Sequence, residues 1–270
     1  MTERICYVYG VVAPNLDLAG APTGVDDAAV LLESEGPLAA LVSLVDAAVY
    51  SADTLDARTA NLEWLAPRAT AHDRVLTWAS DAAPVAPMPL LSLFRSAHGV
   101  RAMLRDRRTE LMRAMARAKA GREYHLRVFR LDRELAVKLP SLSPKIAELE
   151  EAAAAASPGQ RYLLGRKLED ERRTEIRRVG AEVAREVHAT LREDALAAVT
   201  DPLPRPGGDA GGGDGAAVLN AAYLVSQSAL TDFRAALTAL IERREPEGFR
   251  FEFTGPWPVY HFVREAGDGE

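Results

Sequence analysis

The chain has 270 residues, 48% hydrophobic and 27% charged, a balance that excludes a disordered protein and leaves room for two ordinary domains. Its formal net charge of −6 argues against a dedicated nucleic-acid binder, which needs a basic excess to neutralise phosphates. Cys6 is the single cysteine, so no intramolecular disulfide or cysteine-based metal cluster can form. No apolar run reaches the ~18 residues of a membrane-spanning helix, and M-T-E-R leads into strand-like sequence with no charged-then-apolar leader. A reducing, cytoplasmic location is expected.

Arg4 to Val12 (RICYVYGVV) is β-branched and aromatic and predicts a buried strand, with Cys6 in it as a small core hydrophobe. The Pro-, Gly- and Ala-rich stretch to Asp26 has no period. Ala28 to Glu33 and Leu38 to Val45 predict two further strands about a turn at Ser34-Glu35-Gly36-Pro37. Leu62, Leu65, Ala69, His72, Leu76 and Ala79 recur at helical spacing, so a helix is expected from Thr59 to Ala79, kinked or split by Pro67. His72 falls on its apolar stripe with no other ligand type at ligand spacing, and reads as a core histidine.

Pro84 to Phe94 (PVAPMPLLSLF) is apolar but carries three prolines, so it is an edge strand or an extended crossing. Ser96 can cap a helix running to about Ala120, whose apolar face is Val100, Met103, Leu104, Leu111, Met112 and Met115. Methionines suit adaptable binding surfaces as well as cores, which makes Met103, Met112 and Met115 candidate partner-binding residues. Gly121 closes this helix and places a domain boundary, dividing the chain into 1–120 and 121–270.

Tyr124 to Leu131 predicts a strand with Tyr124, Leu126 and Val128 on one face and His125 on the less apolar other. Pro144 to Ala156 is helical up to the breaker Ser157-Pro158-Gly159. Arg161 to Glu193 reads as one helix of ~33 residues, roughly 50 Å long, which is more than such a domain is wide. Glu169 to Glu175 within it is polar on every side and reads as solvated. Ala195 to Thr200 is a short strand. Gly207 to Gly215 is a flexible loop, lacking the residues of a phosphate cradle or dinucleotide turn. Val218 to Val225 is a strand, and Ala229 to Arg243 a helix with Leu230, Phe233, Leu237 and Ile241 in phase. Phe249 to Phe253 alternates Phe with Arg250 and Glu252, a strand stopped by Thr254-Gly255-Pro256. The fold class expected is α+β in two domains. The second is a ferredoxin-like variant, β-α-α-β-β-α-β, with two helices, one of them long, in its first crossover.

Trp257, Tyr260 and Phe262 follow. Terminal segments fray unless tied down, so these aromatics are expected to seal the core of the second domain or to form a partner surface. Trp257, beside the strand, suits the first role, and Phe262, furthest out, the second. Neither H-E-x-x-H nor G-x-S-x-G occurs, and the five histidines are scattered singly, so no catalytic, cofactor or metal constellation is expected.

The tail T-G-P-W-P-x-Y-x-F-V is the last of five blocks. The others, in order, are I-C-Y-V-Y-G-V-V (Ile5 to Val12), A-H-D-R-V-L (Ala71 to Leu76), Y-L-L-G-R-K (Tyr162 to Lys167) and L-N-A-A-Y-L-V (Leu219 to Val225). Together they resemble the gas vesicle protein F/L family from end to end. The resemblance implies a non-enzymatic accessory protein of gas vesicle assembly, cytoplasmic and associated with gas vesicles. It would bind the small hydrophobic shell protein A during nucleation or growth, with other gas vesicle accessory proteins as further partners, and neither nucleic acid nor membrane. One block departs from the family. Where the usual pattern is close to P-V-L-P-L-R-F-G-T-V-F, this chain has Pro89-Leu90-Leu91 in place of Arg-Phe-Gly. From the residues alone, the alternative is a small-molecule-binding regulatory module of ferredoxin-like type.

Overall fold

The computed structural model describes residues 3–203 and 215–263. The fold is mixed α and β, with two four-stranded sheets in two compact units. Residues up to Glu123 together with those from Pro256 onward make one unit, and Tyr124–Gly255 make the other.

In the first unit β1 (Arg4–Val12), β2 (Leu31–Glu35), β3 (Leu38–Asp46) and β4 (Ala86–Phe94) form an antiparallel sheet in the order β2-β3-β1-β4. From Cys6 onward β1 is buried on both faces. Tyr7 and Tyr9 pack toward α2 (Leu62–Ala82), which follows α1 (Ala52–Thr59), while Cys6, Val8 and Val11 pack toward α3 (Ala97–Asp106) and α4 (Arg108–Ala120). Alternation along one strand thus serves two helical layers. β2 starts later than its composition implies and runs through Glu35, so the turn narrows to Gly36 and Pro37, with Gly36 at φ +60.

The helical stretch expected over 59–79 is two helices. Their break falls at Asn61, whose side chain accepts from the N–H of Glu63 and of Trp64 and caps α2. Pro67 lies inside α2 without dividing it. Ser96 caps α3 by accepting from Gly99 N at 3.3 Å. The chain breaks again at Arg107, where no Gly or Pro marks the joint, so the sequence reads there as one helix.

β4 is an edge strand, as its prolines require. Gly10 pairs with Pro87 and Val8 with Ser92, so β4 places a bulge of extra residues between rungs that one β1 residue separates. The Pro89-Leu90-Leu91 departure sits in this bulge. Leu91 has φ +64, a left-handed conformation that glycine takes without strain and leucine does not. Its N–H donates to the Tyr7 hydroxyl at 3.2 Å.

The second unit runs β5 (Arg122–Arg130), α5 (Asp132–Leu142), α6 (Pro144–Ala155), α7 (Pro158–Glu193), β6 (Ala197–Thr200), β7 (Ala216–Val225), α8 (Leu230–Arg244) and β8 (Phe249–Trp257). The sheet order is β6-β7-β5-β8. Its first crossover holds three helices rather than two. α5 sends Leu135 and Leu139 into the core, but Pro140 in its last turn masks it in the sequence. α7 has 36 residues, about 54 Å of helix, and every buried residue on it lies from Glu175 onward.

The polar turn at 169–175 is solvated on one side, where Glu169, Asp170, Arg173 and Thr174 are exposed, and faces α6 on the other. Lys145 pairs with Glu171 at 2.6 Å, Arg172 pairs with Glu150, and Ser143 Oγ donates to Glu175 at 2.8 Å, leaving Glu175 buried. α6 and the first half of α7 therefore form a hairpin held by ion pairs. β8 continues through Thr254-Gly255-Pro256 instead of stopping there. It is an edge strand, where a proline's missing N–H costs no ladder bond, and Gly255 takes φ +124. The loop expected over 207–215 lies outside the described residues except for Gly215. Among the described residues no helix is long and apolar enough to cross a membrane.

The division expected at Gly121, with all of 121–270 in one domain, differs at the tail. Residues from Pro256 onward belong with the first unit, where α9 (Tyr260–Val263) packs on α4 and β4.

Gly248 holds φ +101 after α8, and its carbonyl accepts from Leu131 N at 2.9 Å. A Cβ there would sit 2.5 Å from Leu135 N. Gly248→Ala is expected to cost at least about 2 kcal/mol in urea unfolding, from left-handed strain and backbone overlap together. Gly159→Ala, with nothing within 4 Å of the added carbon, should cost nothing.

Candidate functional site

The block A-H-D-R begins with a buried Ala71, and its next three residues each reach a different segment. His72 Nδ1 lies 2.9 Å from the Tyr7 hydroxyl, Asp73 Oδ1 accepts from Tyr260 Oη at 3.1 Å, and Arg74 donates to the Thr23 carbonyl at 3.0 Å. Successive helical residues point about 100° apart, so one turn of α2 gathers a strand, the tail and a loop.

Around it the tyrosines are saturated. Tyr9 Oη donates to Ser43 Oγ at 2.8 Å and accepts from Val25 N at 2.8 Å, while Ser43 Oγ donates on to the Ala29 carbonyl. Tyr50 Oη donates to Asp26 Oδ2 at 2.7 Å, and Arg68 pairs with Asp26 Oδ1 at 2.5 Å. Tyr7 Oη accepts from Leu91 N, which leaves its own proton for His72 Nδ1 and places the imidazole proton on Nε2. That Nε2 faces the Met88 carbonyl without a hydrogen bond of normal geometry. Burial, the largest influence on His72, holds its pKa down to about 4. Tyr7, Tyr9, Ser43 and His72 are all buried. A sealed network of this kind fixes strands and helix relative to one another and offers no face to a substrate.

The tail is fastened by the same chemistry. Arg117 Nη1 donates to the Phe262 carbonyl at 2.8 Å. Glu123, with no exposed surface, accepts from His261 N at 3.0 Å and meets His261 Nδ1 at 2.6 Å. Glu123 and His261 are residue types that hold metal ions, but here each satisfies the other; His125 follows two residues along β5.

The candidate partner-binding residues do not share one surface. Phe262 is 5% exposed and Trp257 38% exposed, the reverse of the expectation from their order along the chain. After Pro258 the chain turns into α9, and Val259 and Phe262, three residues apart, share its buried face. Tyr260 packs at the edge of the cluster containing Tyr7 and Tyr9. Met103 is buried and Met115 partly buried in the cluster between the sheet and α3 and α4, whereas Met112 is 46% exposed. The break at Arg107 changes which face the second half of the expected helix presents. Nothing in the sequence marks Tyr7, Asp73, Glu123 and His261 as a set: Tyr7, Asp73 and His261 fall in three separate blocks and Glu123 in none.

Phe262→Ala should destabilise the chain by about 3 kcal/mol or more, the usual cost of a buried Phe→Ala cavity. Trp257→Ala should cost less than half of that, both read from chemical denaturation. A pH series tests His72. Above pH 6.5 neither folded nor unfolded His72 is protonated, and its contribution to stability is fully present. Between about 6.5 and about 4 only the unfolded chain takes the proton, so stability falls by up to about 3 kcal/mol. His72→Gln should lack that part of the acid loss.

Compared with known proteins, the chain matches the gas vesicle synthesis protein GvpL/GvpF family over residues 5–264. It is similar to gas vesicle protein L of Streptomyces sp. (strain CB03234), with 31% identity over 266 residues, 97% of this chain and 94% of that one. Two crystal structures of GvpF are alike in fold. The one from Microcystis aeruginosa has a TM-score of 0.65 at 18% identity, covering 96% of this chain and 99% of that chain. The one from Anabaena sp. PCC7120 has a TM-score of 0.69 at 15% identity, covering 97% and 98%. With the family matched along nearly its whole length and a relative above 30% identity, this chain belongs to the gas vesicle synthesis protein GvpL/GvpF family.

Proposed function

We propose that the chain is a non-enzymatic accessory protein of gas vesicle assembly that binds the small hydrophobic shell protein during nucleation or growth of the vesicle. It acts in the cytoplasm, associated with gas vesicles and with other accessory proteins of the system. The observation that carries this reading is the family match over residues 5–264. The physical chemistry agrees with it. A small subunit with exposed apolar surface needs a soluble, charged holder before it is added to a shell, and this chain carries a net charge of −6. Its most intricately bonded polar groups are sealed inside the first unit, where they serve the framework. Of the six candidate contact residues, Met112 and Trp257 present exposed apolar surface and are the proposed anchors. Met103 and Phe262 are buried and Met115 and Tyr260 partly buried within the first unit. The second unit is proposed as a ferredoxin-like variant, since numbering its strands one to four along the chain gives the spatial order 2-3-1-4.

The test is co-expression of the tagged chain with the shell protein alone, followed by affinity capture and size-exclusion chromatography. Co-elution at fixed stoichiometry is expected, and Met112→Ser with Trp257→Ala should weaken capture about tenfold while the melting temperature stays near wild type. Absence of any complex with the folded chain would refute the reading. A specific small-molecule thermal shift in its place would favour a regulatory module.

A further inference from the structure

The tip of the α6–α7 hairpin is left uncovered within its own unit. A groove of about 470 Å³ opens there, lined by Ala152, Ala155, Ala156, Gln160, Leu163 and Leu164. Tyr162 and Leu163 are each 68% exposed, an unusual outlay of large apolar surface on two adjacent residues.

The charges at this tip run against the rest of the chain. Residues 152–167 include Arg161, Arg166 and Lys167 and no acidic residue, in a chain of net charge −6. Arg161 reaches the Ala156 carbonyl at 3.1 Å. Arg166 and Lys167 are exposed and have no partner among the described residues, although the next turns of α7 pair Glu169, Glu171, Arg172 and Arg173. Both stand one turn beyond Leu163, at i+3 and i+4, on its side of the helix.

We propose that this tip is a docking surface for an amphipathic helix of another protein, one whose apolar stripe is flanked by carboxylates. The stripe fills the alanine-walled groove against Leu163 and Leu164, and the carboxylates meet Arg166 and Lys167 one turn beyond. Arginine is among the residues that most often anchor interfaces. A second copy of this chain fits poorly, because a symmetric tip-to-tip contact would set like charges against each other.

Two synthetic helical peptides test this, sharing one leucine stripe, the first flanked by Glu and the second by Lys. They are titrated by fluorescence anisotropy against the full-length chain. The Glu-flanked peptide is expected to bind, with the Lys-flanked one at least tenfold weaker. Arg166→Glu with Lys167→Glu should reverse that preference. Equal binding of both peptides, binding of neither, or indifference to the Arg166 and Lys167 changes overturns the proposal. Self-association through the tip that excludes the peptide also overturns it. Capture of the shell protein does not enter these readouts, so the two readings fail separately.

Discussion

A carboxyl group with no solvent-exposed surface must have its hydrogen bonds delivered by the protein. For Glu123 they come from far along the chain. His261 supplies both a backbone N–H and a ring nitrogen to its two oxygens. Once that pair is set, little freedom remains for the tail. Tyr260 falls where its hydroxyl meets Asp73 on α2, and the Phe262 carbonyl falls where Arg117 on α4 reaches it. Three neighbouring residues are thereby tied to three different elements. The apolar side chains beneath them, Val259 and Phe262, complete what the polar ties position. The A-H-D-R and W-P-x-Y-x-F blocks, nearly 190 residues apart in sequence, are two halves of one fastening.

Much of the fold is legible in the sequence, wherever a segment's own composition decides its state. β1 is given by its β-branched and aromatic run, β4 as an edge by its prolines, and α3 by the serine that caps it. The failures have a common cause. Periodicity describes the faces of one segment and is silent about what lies opposite. The turn at 169–175 is polar on every side, and only the arrival of Lys145 and Glu150 from α6 decides that Glu171 and Arg172 are paired across while Glu169 and Arg173 stay exposed. The joint at Arg107 carries no breaker, so three methionines that share a face on paper separate into buried Met103, half-buried Met115 and exposed Met112.

The candidate site shows the same limit. Nearness to a strand along the chain suggests that Trp257 is the anchored aromatic and Phe262 the outlying one. Depth is set instead by the turn after Pro258 and by α9, which carries Phe262 inward. Leu91 is a further case, a left-handed residue that the local sequence does not predict. The bulge in β4 holds Leu91 left-handed, because the neighbouring rungs to Gly10 and Val8 fix the strand on either side.

The first unit is discontinuous in sequence, since its last helix is made only after 132 intervening residues, Tyr124–Gly255, have been synthesised. At ~5–20 residues per second the ribosome needs on the order of ten seconds to cover that distance. Throughout that interval β4 and α4 are without the helix that packs on them, and Glu123 is without its partner. The second unit is contiguous and has all its strands except the end of β8 before the first can close. Order of synthesis and order of completion are therefore opposite in this chain: the domain that begins first finishes last. A nascent-chain chaperone would find its longest-lived exposed apolar surface at the amino-terminal end.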